Sequence, residues 1–140
     1  MPKRKISRVI IDTNLWISFL IGRKLRTLKK LIVNQNIEII MTEQLLQEIE
    51  IVTSRPKFRQ YFDQNKIHEL IRFLKLITTI IPIISDIQQC RDPKDNFLLS
   101  LAVDSHADYL LTGDRDLLEI GHIKSTKIIS VSDFEQLFST

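Results

Sequence analysis

Residues 9–16 read VIIDTNLW. Three β-branched apolar residues lead straight into a carboxylate, Asp12, and the apolar run resumes at Leu15 and Trp16. An unbroken apolar run suits a strand covered on both faces, as in a parallel sheet. A carboxylate at its end either caps the following helix or belongs to a site, and on this stretch alone both readings stand for Asp12.

Outward from it, two hydrophobic periods alternate. ISRVII (6–11) is a strand, and TNLWISFLI (13–21) a helix carrying Trp16, Phe19 and Leu20, with Gly22 as its stop. KLRTLKKLIVN (24–34) stripes Leu25, Leu28, Leu31 and Ile32, and IEIIM (37–41) is a strand. Thr42 can cap the next helix, whose Leu45, Leu46, Ile49 and Val52 face inward until Pro56. NKIHELIRFLKLI (65–77) is an amphipathic helix, and TIIPII (79–84) a strand that Pro82 keeps short or at an edge. RDPKDN opens a helix with Asp92 at the N-cap and Pro93 in the first position. ADYLL (107–111) and TKIISV (126–131) are further strands, and Ser132 with Glu135 fits a capping box for the last helix. Strands alternating with helices favour an α/β domain with a mostly parallel sheet covered on two faces. Such sheets bind ligands beyond the carboxyl ends of their strands.

The bulk numbers agree with one domain, residues 1–140. The charged fraction is 26% and the hydrophobic fraction 44%, as in a soluble globular protein. Cys90 is the single cysteine, which excludes an intramolecular disulfide and fits a reducing compartment. No apolar run approaches a membrane span, and no secretory leader is legible, so the expectation is a cytoplasmic protein away from membranes. The net charge is +3, with basic groups near the N-terminus, at 23–30 and at Arg55, Lys57 and Arg59. They suit a polyanionic partner or the solvated faces of helices.

On that architecture the acids gather. Asp12 ends the first strand, Glu48 lies on the helix after the second, Asp95 opens a helix, and Asp114 and Asp116 follow ADYLL. Each has a bland reading as a cap, a turn residue or a solvated side chain. Jointly they argue for a shared crevice, because a cap needs no partners from other strands. Clustered carboxylates repel unless a cation joins them, and Mg²⁺ takes oxygen ligands. His68, His106 and His122 are isolated and make no zinc set.

The stretches VIIDTNLWIS, LLQEI around Glu48, CRDPKDNFLLSLAV and ADYLLTGDRDLL resemble, in this order, those of the PIN-domain nucleases. They are most similar to the VapC-type toxins of toxin–antitoxin pairs. The resemblance covers nearly the whole chain. It implies a three-layer α/β/α sandwich and a Mg²⁺- or Mn²⁺-dependent ribonuclease with Asp12, Glu48, Asp95 and Asp114 as its acids. Asp116 matches a further family acid, and Asn14 and Thr112 match polar positions that orient carboxylates. Asp92 lies beside the matched position; Asp95 is chosen because it falls seven residues before Ala102, two turns along one helix face. With a nuclease in view, Arg23, Lys24 and Arg26 become candidate RNA backbone contacts. RNA is then the substrate, a small antitoxin protein the expected partner, and a homodimer an expected assembly. Two other acidic-pocket domains fit less well. A haloacid-dehalogenase-type phosphatase needs an Asp where Asn14 stands, and a response-regulator receiver needs an acidic pair after the first strand. A non-catalytic RNA- or protein-binding module on the same fold is the remaining alternative.

Overall fold

In the computed structural model, which describes residues 5–22 and 25–138, the apolar run becomes β1 (Ser7–Ile11), with Val9, Ile10 and Ile11 fully buried. It lies inside a six-stranded sheet of order β3-β2-β1-β4-β6-β5. Both neighbours of β1 are parallel to it: β2 (Ile37–Met41) on one side and β4 (Tyr109–Leu111) on the other. β3 (Thr79–Ile80) extends the parallel set at one edge and β6 (Thr126–Ile129) on the other side, where a short antiparallel β5 (His122–Ile123) closes the sheet. Helices lie on both faces, the three-layer α/β arrangement that the alternating periods predict.

The helices follow the same pattern. α1 (Thr13–Leu20) buries Trp16, Ile17 and Phe19, each such side chain contributing about 1.5–3 kcal/mol by leaving water. Gly22, at φ 96°, ends it in the left-handed region open to glycine. α2 (Leu25–Val33) buries Leu28 and Leu31. α3 (Glu43–Thr53) buries Leu45, Leu46 and Ile49, and α4 (Gln64–Ile77) buries Ile67 and Leu74. α5 (Asn96–Ser105) is buried along most of its length, while α6 (Arg115–Ile120) and α7 (Val131–Phe138) flank the far strands.

The strand read over 79–84 is short and lies at the sheet edge, as Pro82 led us to expect: it stops at Ile80, with one more rung from the Ile81 amide to the Met41 carbonyl (2.8 Å), where its partner β2 itself ends. Three local readings are corrected. Thr42 precedes α3 in extended backbone, but its side chain makes no capping bond. Asp92 caps a single 3-10 turn (Pro93–Asp95) rather than α5, which starts at Asn96. The last helix begins at Val131, with Ser130 Oγ accepting from the Asp133 amide (3.1 Å), while Glu135 accepts instead from Thr27 Oγ1 (2.7 Å). α6 and β5 were not anticipated, since their segments are too short to show a period.

The segment after Pro82 is held without a ladder. Asn96, Ser100 and Asp104 stand four residues apart on α5 and so share one face. Asp104 accepts from the Ile84 and Ser85 amides (2.6 and 2.8 Å), Ser100 Oγ from the Ile87 amide (3.0 Å), and Asn96 Oδ1 from the Cys90 amide (2.8 Å). This strap brings residues 91–95 to the carboxyl end of the sheet.

Candidate active site

β1 and β4 are the neighbours at which the chain order of the sheet reverses, and a crevice at their carboxyl ends is where open α/β sheets place ligands. Asp12 leaves β1 there, its amide extending the ladder to the Leu111 carbonyl (3.1 Å). Its side chain is a helix cap, with Oδ1 accepting from the Leu15 amide (2.8 Å). It is more than a cap. Oδ2 accepts a hydrogen bond from Thr112 Oγ1, whose oxygen in turn accepts from the Asp114 amide (3.0 Å). One buried hydroxyl therefore couples the ends of both strands. Asp12 is only 5% exposed. Burial pushes its carboxyl above the ordinary value, with the Asp114 charge adding to the rise and the Thr112 and Leu15 hydrogen bonds opposing it.

Asp114 caps α6, with Oδ1 accepting from the Asp116 and Leu117 amides (2.8 and 3.3 Å). Glu48 reaches in from the middle of α3 and accepts from Thr13 Oγ1 (2.6 Å). Asp95 is half-buried at the end of the 3-10 turn. Its carboxyl is pushed up to about 6, first by burial, then by the charges of Asp114 and Asp92, with Lys94 pulling the other way. Asp12, Glu48, Asp95 and Asp114 line one cavity of about 260 Å³, together with Thr13, Asn14, Arg55 and Lys94. A second hollow of about 280 Å³ adjoins it and shares Asp12, Asn14 and Asp114. A larger hollow of about 440 Å³ lies between α2 and α7, but its one carboxylate, Glu135, is tied to Thr27.

The other expected residues fall outside the cavity. Asp116 lies 3.8 Å from Arg91, which also meets Glu119 at 3.5 Å. Asp92 is held by Lys94, through its amide (3.3 Å) and its ammonium (3.6 Å). Asp95, not Asp92, lines the cavity. Arg26 is exposed on α2 and is not among the lining residues; Arg23 and Lys24 lie outside the described residues. Thr13 was missed as the holder of Glu48, although its place between Asp12 and Asn14 was a signal. Arg55 and Lys94 were missed at the rim, because nothing local marks a cation as facing one crevice.

Among the described residues no three His, Cys, Asp or Glu side chains form a ready metal cage. Asp12 and Asp114 each commit an oxygen to capping the helix that follows, Asp12 its other oxygen to Thr112, and Glu48 one to Thr13. The donor set nonetheless fits a hard divalent ion. It is all oxygen, it gathers four carboxylates in one cavity, and Mg²⁺ is commonly held by one or two carboxylates plus waters.

A family model described as the PIN domain matches residues 8–116. An uncharacterized protein of Methanocaldococcus jannaschii, MJ1680, is 32% identical over 123 residues, covering 86% of this chain and 78% of that one. Two solved structures share the fold. One is VapBC2 from Rickettsia felis bound to a DNA fragment from their promoter, with TM-score 0.59 and 19% identity over 86% of this chain and 96% of that one. The other is the PIN domain of human SMG5, with TM-score 0.51 and 16% identity over 94% and 99%.

Proposed function

From the premise that this chain belongs to the PIN domain family, we propose that it is a metal-dependent endoribonuclease, the toxin of a toxin–antitoxin pair. The observation that carries the nuclease reading is the meeting of four carboxylates from four separate segments in one cavity at the carboxyl end of β1 and β4. Asp12, Glu48, Asp95 and Asp114 are the residues that would hold Mg²⁺ or Mn²⁺. When bound, such an ion would supply a Lewis acid for the phosphodiester and acidify a coordinated water.

The chain's own groups prepare that chemistry. Thr112 fixes the Asp12 carboxylate and the Asp114 loop with one hydroxyl. Thr13 fixes Glu48. Asn14, exposed and shared by both hollows, offers an amide to orient the phosphate that crosses between them. The toxin role, with RNA as substrate and a small antitoxin protein as partner, is supported by the resemblance of the sequence motifs to VapC-type toxins. No helix among the described residues is long and apolar enough to cross a membrane.

RNA cleavage by wild type and Asp12→Asn, each with Mn²⁺ and with chelator, tests the reading. Asn at this position can still accept from the Leu15 amide through its one oxygen, while its NH2 can donate to Thr112 Oγ1 in place of the bond Asp12 accepts there, so the fold should stand. Wild type should cut with Mn²⁺ only, and Asp12→Asn should lose roughly 100-fold or more, since several kcal/mol of charge stabilisation go with the carboxylate. Cleavage that survives chelation, or a folded Asp12→Asn as fast as wild type, would refute it.

A further inference from the structure

Residues 54–61 read SRPKFRQY, with three cations, two aromatic rings and no acid. Arg55 lines the acidic cavity. From there the backbone turns tightly on itself. The Phe58 amide donates to the Arg55 carbonyl (2.9 Å), Arg59 to Pro56 (3.2 Å), and both Tyr61 and Phe62 to Phe58 (2.9 Å each). Phe62 is buried and Phe58 packs on the core, so the turn is anchored from below. Lys57 lies over the Phe58 ring (5.1 Å). Arg55, Arg59 and Tyr61 are exposed, Tyr61 by 42%. Among the described residues neither arginine forms an ion pair, although Arg55 stands at the rim of a cavity lined by four carboxylates.

Unpaired guanidinium groups beside an exposed ring, on a backbone held rigid by its own hydrogen bonds, match the needs of one polynucleotide strand. Guanidinium forks suit phosphate oxygens, and an aromatic face suits an unstacked base. A duplex presents phosphates but no free base face.

We propose that the 55–61 turn is the landing for a single strand leaving the acidic cavity, with Arg55 and Arg59 on successive phosphates and Tyr61 under a base. This rests on the nuclease reading of the cavity and assigns its grip to α3's exit rather than to the basic residues at 23–26. The contacts neutralise charge and stack, so they tighten all sequences alike.

The test is fluorescence anisotropy with a short labelled oligouridine, across a salt series, in the Asp12→Asn protein so that nothing is cut. Adding Arg55→Ala with Arg59→Ala should lower the salt slope by ~2 units, about one per phosphate contact. Tyr61→Ala should weaken binding ~5–10-fold, at the low end for base stacking, with the slope unchanged, and Tyr61→Phe should restore it. A duplex probe should not respond to Tyr61→Ala. Lys75→Ala on α4 is the control and should change neither affinity nor slope. Melting temperatures should match across the set, because all three side chains are exposed. If the Asp12→Asn parent binds oligouridine but the double arginine variant keeps its affinity and slope, or Arg26→Ala carries the change instead, the landing is overturned while the nuclease reading stands. A parent that binds no oligouridine at low salt also overturns it. Failure of the nuclease reading is seen separately, as wild type leaving RNA intact with Mn²⁺.

Discussion

The two ends of the sheet hold similar residues to opposite effect. At the amino end Arg8 meets Glu38 (3.4 Å) and donates to the Ser105 carbonyl (2.5 Å), while Asp108 accepts from the Arg8 amide (2.8 Å) and meets Lys5 (3.3 Å). Glu38 and Asp108 each have a cation or a donor across a strand boundary. At the carboxyl end four carboxylates face one cavity with Arg55 and Lys94 only at its rim, and Asp95 is driven up to about 6. One end spends its charges on joining strands. The other keeps charge uncompensated, the pattern expected of a site that a ligand completes. Substitutions at the two ends should therefore separate activity from stability.

Short of removing a carboxylate, the largest effect should come from Thr112, which ties the two site strands together. Thr112→Val should cut RNA cleavage roughly 10–100-fold, the usual cost of losing a group that orients ligands, and Thr112→Ser should recover most of it. Initial rates at saturating Mn²⁺ would measure this; equal rates for Thr112→Val and wild type would remove the hydroxyl from the mechanism. At the other end, Asp108→Ala should lower stability by about 1–2 kcal/mol, for a partly buried charge-assisted bond, and leave cleavage within about twofold. Denaturant melts beside the same rate assay check both halves, and a larger effect on rate than on stability would break the contrast.

The smallest expected effect is at Asp95. Its folded carboxyl titrates near 6 against 3.8 unfolded, so the folded state holds this proton more tightly. Its contribution to stability is present below about pH 4 and is lost as pH rises through 6. In chelator, wild type should lose stability over that window relative to Asp95→Asn. Asp95→Asn should melt higher at neutral pH by on the order of 1 kcal/mol, the value being reduced by solvent around a half-buried group. A parallel pH course for the two proteins would show that neither burial nor the neighbouring charges raise this carboxyl.

Much of this was legible in the chain. VIIDTN announced both a buried strand and the acid at its end, and the strong periods of α3, α4 and α5 gave the layers. Asp12 shows why sequence alone left two readings open: it is a cap and also lines the cavity, with the same two oxygens. The edges were less legible. Pro82 warned of a short strand but could not reveal that α5 would hold the following loop through Asn96, Ser100 and Asp104, since those contacts join residues 6–20 apart by side chain to backbone. The cations at the rim were illegible for a similar reason. Arg55 sits between the end of α3 and Pro56, where nothing local shows which way its side chain faces, while Arg23, Lys24 and Arg26 looked equally apt by charge.

The central claim is that the carboxyl end of the sheet is a cation site and the amino end is not. Thermal melts of wild type, Asp12→Asn and Asp108→Asn, each in chelator and in a Mn²⁺ titration, test it most directly. At a hundredfold excess over Kd, an ion binding only the folded state stabilises by about 2.7 kcal/mol, or roughly 10 °C for a chain of this size. Wild type and Asp108→Asn should show that rise, and Asp12→Asn should show little of it. A wild type indifferent to Mn²⁺, or an Asp12→Asn protein that gains as much as wild type, would contradict the claim.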